Sequence, residues 1–205
     1  DQVLLPVRLH CGIIAQLHGL VQKFLSFFPS FHFLSATGGT PIASGKTAVL
    51  LGLEGLDGLG TEPEWLHALY HMGFRHAMLT WSTDNAFAAG SAHEGPGDGI
   101  TARGIEALRI MERLGMLVDV SHASEKTFWD VVAHTEKPFI ASHSNAWSLC
   151  HAKRNLKDDQ IRAIAERGGV IGMNAWGSFI DPEHATVDRL ADHAAYIADL
   201  VGAEH

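Results

Sequence analysis

Met116-Leu117-Val118-Asp119-Val120-Ser121-His122 and Pro138-Phe139-Ile140-Ala141-Ser142-His143 share one design. Each is a short apolar run that ends in Ser-His. Runs of this length with almost no polar interruption are strands covered on both faces, as in a parallel sheet. Between them Ser124 is placed to cap a helix, and Phe128, Val131 and Val132 fall on one helical face. The segment therefore reads strand, helix, strand, with the right-handed connection that parallel strands require.

The same alternation extends in both directions. Upstream, an apolar run at 47–53 (TAVLLGL) precedes a helix start at Thr61-Glu62-Pro63-Glu64, where Thr61 and Glu64 have the spacing of a capping box. A second run, 74–80 (FRHAMLT), leads into a Gly-, Ala- and Ser-rich loop. Thr101 then caps a helix whose stripe includes Ile105, Leu108, Met111 and Leu114, with Gly115 at its end. Downstream, helices are expected near 157–167 and 186–201, with a fifth strand at 170–175 (VIGMNA). Five strands alternating with helices define an α/β fold with a parallel sheet. Periodicity leaves a doubly wound sheet and a barrel both open. No G-x-G-x-x-G or P-loop opens a helix.

Residues 1–45 form a different, poorly patterned segment, and 46–205 carry the repeat. Between Asp1 and Glu54 there is no Asp, Asn or Glu, while Phe24, Phe27, Phe28, Phe31 and Phe33 crowd together. The net charge of −8 disfavours nucleic acid or an anionic membrane surface as partner. Two cysteines make no disulfide framework, and the apolar stretches are far short of the ~20 residues that span a bilayer.

Chemistry-bearing residues gather at one place in the repeat, the C-terminal ends of the strands. Glu54 follows the first run, Trp81 the second, Asp119 and His122 the third, His143 the fourth. In a (β/α) barrel the catalytic groups come from those ends. Carboxylate oxygen and neutral imidazole are zinc ligands, and a carboxylate can bridge two ions. Bound metal lowers the pKa of water and polarises a carbonyl. A buried strand has no use for an unpaired carboxylate in packing, so Glu54 points to function. The repeated Ser-His endings make His122 and His143 its partners. Most of the 14 histidines, including His67, His71, His134, His184 and His193, sit in helical patterns and read as surface or packing groups. Ser144 and Asn145 also have a reading as caps of the segment after them.

Four separated motifs resemble the membrane (renal-type) dipeptidase family. They are Gly52-Leu53-Glu54-Gly55, 66–81 (LHALYHMGFRHAMLTW), 110–124 (IMERLGMLVDVSHAS) and 138–160 (PFIASHSNAWSLCHAKRNLKDDQ). The resemblance covers roughly residues 45–205. It implies a (β/α)8 TIM-type barrel, present here in part as five to six βα units, and zinc-dependent hydrolysis of dipeptides. It implies two Zn2+ per complete site, with this chain supplying the ligands of one. Glu54 falls on the family's bridging glutamate, and His122 and His143 on two ligands of the second zinc. Arg154 falls on the arginine that binds the substrate carboxylate, a task suited to a guanidinium fork. Trp81 and Asn145 complete the candidate substrate contacts.

Three departures accompany the matches. The family's first-strand His-x-Asp is not found, the nearest string being His10-Cys11-Gly12. Its acidic Asp-Phe-Asp-Gly motif is also not found in the sequence. Trp81 stands where the family usually has histidine. These departures lead to the expectation of a barrel incomplete at both ends. They keep two other readings in play: a metal-binding or interaction module that does not turn over, and a related amidohydrolase acting on another amide or a lactone. The early His-x-His and strand-end lysine usual in that last class are not found. A homodimer is among the assemblies the resemblance allows. A cytoplasmic protein of bacterial type is expected, export being left open by an uninformative N-terminus.

Overall fold

The computed structural model describes residues 50–94 and 98–205, together with the backbone of two short strands before them. Those two are β1 (Arg8–His10) and β2 (Ile14–Gln16), and the others are β3 (Leu51–Leu53), β4 (Phe74–Met78), β5 (Leu117–Asp119) and β6 (Phe139–Ile140). They form one sheet in the order β2-β1-β3-β4-β5-β6. The pairs β3·β4, β4·β5 and β5·β6 are parallel, whereas β1 is antiparallel to both β2 and β3. The rest of the segment 1–49, including Cys11 and Gly12, lies outside the described residues.

Among the described residues six α-helices connect and follow the strands: α1 (Trp65–His71), α2 (Ala102–Leu114), α3 (Glu125–His134), α4 (Asp158–Glu166), α5 (Gly177–Ile180) and α6 (Val187–Val201). Two of the expected caps form as read. Thr101 accepts from the Gly104 amide and Ser124 from the Thr127 amide. The capping box at Thr61 does not form. A series of tight turns runs from Leu59 to His67, the Thr61 hydroxyl bonds its neighbour Glu62, and α1 begins only at Trp65. The expected strand at 170–175 is also reduced, to a single parallel bridge between Ala141 and Ile171. On its other side the Ile171 amide donates to the His205 carbonyl, so no second ladder holds the segment extended.

The core lies between sheet and helices. Leu53, Phe74, Val118 and Phe139 from the strands meet Leu108, Phe128 and Ile161 from the helices, all of them buried. Phe128 of α3 packs edge-on against Phe139 of β6 with ring centroids 5.9 Å apart. This packing fixes the strand register. Leu53 pairs with Ala77, Ala77 with Val118 and Val118 with Phe139, one row across four strands. The parallel strands therefore open their C-terminal ends on one side of the sheet, with His122 and His143 each the same number of residues past that row. No helix of the described residues is long and apolar enough to cross a membrane.

Candidate metal centre

The register delivers Glu54, His122 and His143 to one point. His122 Nε2 lies 2.9 Å from Glu54 Oε1 and 2.9 Å from His143 Nε2, and His143 Nε2 lies 3.4 Å from Glu54 Oε1. Donors each about 2.0–2.1 Å from one ion at tetrahedral angles stand ~3.3 Å apart, so the triangle is the size a metal needs. Among the described residues these three are the one cluster of His, Cys, Asp or Glu so arranged. Burial pushes the His122 imidazole down to about 4, with the nearby Arg154 and His143 charges acting the same way and Glu54 opposing. At neutral pH the ring is uncharged, the form that can ligate.

Each imidazole is held from behind. His122 Nδ1 lies 2.9 Å from Ser82 Oγ, and His143 Nδ1 lies 2.8 Å from Ser142 Oγ. Partners of this kind leave Nε2 facing the ion. His122 also carries φ of 70°, the one positive value outside glycine among the described residues. A left-handed backbone at a non-glycine residue costs about 1–3 kcal/mol and persists only where neighbours enforce it. Here the Ser91 amide donates to the His122 carbonyl at 2.7 Å, and the Trp81 ring stacks on the imidazole at 5.5 Å.

Asp119 is buried beneath both histidines. Its Oδ1 accepts from the Ser121 amide at 2.9 Å and the Ser142 amide at 3.1 Å, and Ser121 Oγ accepts from the His143 amide at 3.1 Å. One carboxylate thus sets the path of both Ser-His endings. Asp119 Oδ2 lies 3.7 Å from His76 Nδ1.

Arg154 reaches the centre from the segment before α4. Its Nη2 donates to the His143 carbonyl at 3.1 Å, while its buried Nε makes no hydrogen bond among the described residues. Burial lowers it to about 10, against the pull of Asp119 and Glu54, so it stays a cation at neutral pH. With Ser144, Trp147, Lys153 and Asn155 it lines a cavity of about 590 Å3. Asn145 has a different environment from the one expected of a substrate contact. It is fully buried, its amide nitrogen donates to Asn174 and Phe179 carbonyls, and its oxygen accepts from the Asn174 amide. Its polar atoms tie 145 to 174 and 179 and are not left over for a ligand. Neither Ser144 nor Asn145 caps a helix.

Sequence reading missed Ser82 and Ser91, which act on His122 from another loop. It could have found Ser121 and Ser142, since the Ser-His pair occurs twice. His193 is a packing histidine: Nδ1 accepts from the Ala146 amide and Nε2 donates to the Ile180 carbonyl.

Parallel strands with a carboxylate and two imidazoles at their C-terminal ends are the arrangement that metal-dependent (β/α)-barrel proteins use to hold an ion. Residues 21–205 match membrane dipeptidase (peptidase family M19), and the chain belongs to that family. It is 40% identical over 168 residues to an uncharacterized dipeptidase of Schizosaccharomyces pombe, covering 79% of this chain and 40% of that one. It is 35% identical to an uncharacterized protein of Klebsiella pneumoniae encoded 5′ of pqqA, covering 77% and 62%. A solved metallopeptidase of Rhodobacter sphaeroides, liganded with a phosphinate mimic of the dipeptide L-Ala-D-Ala, superposes with a TM-score of 0.71 at 28% identity, covering 78% and 48%. The chain spans about half the length or less of most of the relatives it matches.

Proposed function

We propose that this chain carries one metal centre of a zinc dipeptidase, with Glu54, His122 and His143 as ligands and a dipeptide as substrate. The observation that carries the reading is the convergence of three ligand atoms at 2.9–3.4 Å. Zinc bound there would lower the pKa of a water and polarise the scissile carbonyl. The second carboxylate oxygen of Glu54 suits a bridge to a further ion, which makes two zinc ions the stoichiometry of the complete site. Arg154, cationic and close behind His143, grips the free carboxylate of the dipeptide through a charge-assisted fork. Trp81 stacks on the His122 ring. Its indole N–H can donate to a carbonyl but cannot take up a proton.

The test is dipeptide hydrolysis by the zinc-loaded protein. Glu54→Ala should reduce both zinc content and turnover to background, and a C-terminally amidated dipeptide should be a poor substrate of the wild type. Zinc retained in Glu54→Ala contradicts the ligand assignment. Equal hydrolysis of free and amidated dipeptide contradicts the role of Arg154. A second reading, metal binding without turnover, is favoured by Trp81 in the place of the family's histidine. Stoichiometric zinc with no hydrolysis of any dipeptide would select it.

A further inference from the structure

The loop after β4 is more than a connection. Its chain doubles back, with the Ala92 amide donating to the Ser82 carbonyl at 2.8 Å and Gly90 passing against the backbone of residues 81 and 82. The exposed Asp84 braces it, accepting from the Gly90 amide at 2.9 Å and meeting His93 Nδ1 at 2.6 Å. The braced loop touches His122 at three places: Ser82 at Nδ1, Trp81 on the ring face, and the Ser91 amide at the carbonyl. These contacts fall on the one ligand whose backbone is in a strained conformation.

Resting on the metal-centre reading above, we infer that Ser82 is a positioning residue for metal binding: its hydroxyl holds the His122 ring so that Nε2 faces Glu54 and His143. A hydroxyl suits this place because it both donates and accepts. It can donate to Nδ1 when the ring proton sits on Nε2. It can accept from Nδ1–H when Nε2 is a ligand. The ring therefore keeps one orientation in both states, and an ion entering the site has no rotation to impose. His143 differs in that its hydroxyl partner, Ser142, is its own chain neighbour.

The experiment measures metal affinity of the full chain by chelator competition, together with the visible spectrum of the Co2+-loaded protein. Loss of such an outer partner weakens metal binding about 10–100-fold. Ser82→Ala should show that loss and an altered cobalt spectrum, with the metal-free unfolding midpoint close to wild type. Ser82→Thr, which restores a hydroxyl, should recover both. Wild-type affinity and an unchanged spectrum in Ser82→Ala would overturn the inference. So would a folded Ser82→Thr that binds no better than the alanine variant. A wild-type chain that binds no divalent metal overturns the metal-centre reading and this inference with it. A wild-type chain that binds normally beside an unaffected Ser82→Ala overturns this inference alone.

Discussion

His122 and His143 end two strands of nearly the same design, yet they are seated differently. His143 has its ring on Ser142, its neighbour in the chain, its amide on Ser121 past the adjoining strand, and its carbonyl on Arg154. His122 is held from a loop some forty residues upstream, in a backbone conformation that its own residue type disfavours. The difference teaches where the site stores its cost. The His143 ring finds its hydroxyl partner beside it in the chain, whereas the His122 ring meets one on a loop that must fold back before the metal triangle closes. Asp119 serves both endings, accepting from the Ser121 and Ser142 amides that precede the two histidines.

The largest effect is therefore expected at Asp119. Replacing it with alanine leaves the buried Ser121 amide without its acceptor, which costs about 1–3 kcal/mol, and frees the Ser142 amide as well. Denaturant unfolding should show that loss, and metal affinity should fall with it. Asp119→Asn keeps the Oδ1 acceptor and should cost less. Equal stability of the alanine variant and wild type would remove the shared support from the comparison.

Two glycines separate the seats. A Cβ at Gly90 would lie 2.4 Å from the Ser82 carbonyl carbon and oxygen, and one at Gly172 would lie 2.1 Å from the Ser142 carbonyl oxygen. Each neighbour is backbone and has to move. Gly90→Ala and Gly172→Ala should each lose about 1–3 kcal/mol, as overpacking does. Solution NMR should localise the first change to His122 and the second to His143. Shifts of both rings in both variants would mean the seats are a single unit.

A smaller and smoother effect follows from burial of His122. Its pKa falls from 6.5 unfolded to about 4 folded, so between those values the unfolded chain binds more protons. The stability contributed by the neutral ring is complete above about pH 6.5 and drains away as pH falls toward 4. Urea titrations of the metal-free protein across that window should show the decline, and His122→Asn should flatten it. An unchanged slope in the variant would assign the decline to other groups.

Much of this was legible in the sequence. The β5 and β6 runs, the Thr101 and Ser124 caps and the convergence of Glu54, His122 and His143 could be read because each depends on local pattern: strand length, a capping hydroxyl, a polar group just past an apolar run. The Thr61 box failed because the Thr61 hydroxyl bonds its neighbour Glu62 and the chain makes tight turns before the helix begins at Trp65. The strand at 170–175 failed because extended structure needs a ladder, and Ile171 finds only one bridge and the His205 carbonyl. Ser82 was invisible for a related reason. Nothing beside it in the chain says that it will meet His122. That contact exists only once Asp84 and Gly90 have turned the loop back on itself. Asn145 carried a motif position but not an exposed side chain, and only packing could reveal that.

The proposed metal centre is tested most directly by a crystal of the chain soaked in Zn2+, with anomalous scattering recorded at the zinc edge. Zinc held by this triangle gives a peak about 2.0–2.1 Å from Glu54 Oε1, His122 Nε2 and His143 Nε2 together. Density absent from that triangle, or a zinc bound elsewhere with the triangle empty, would contradict it.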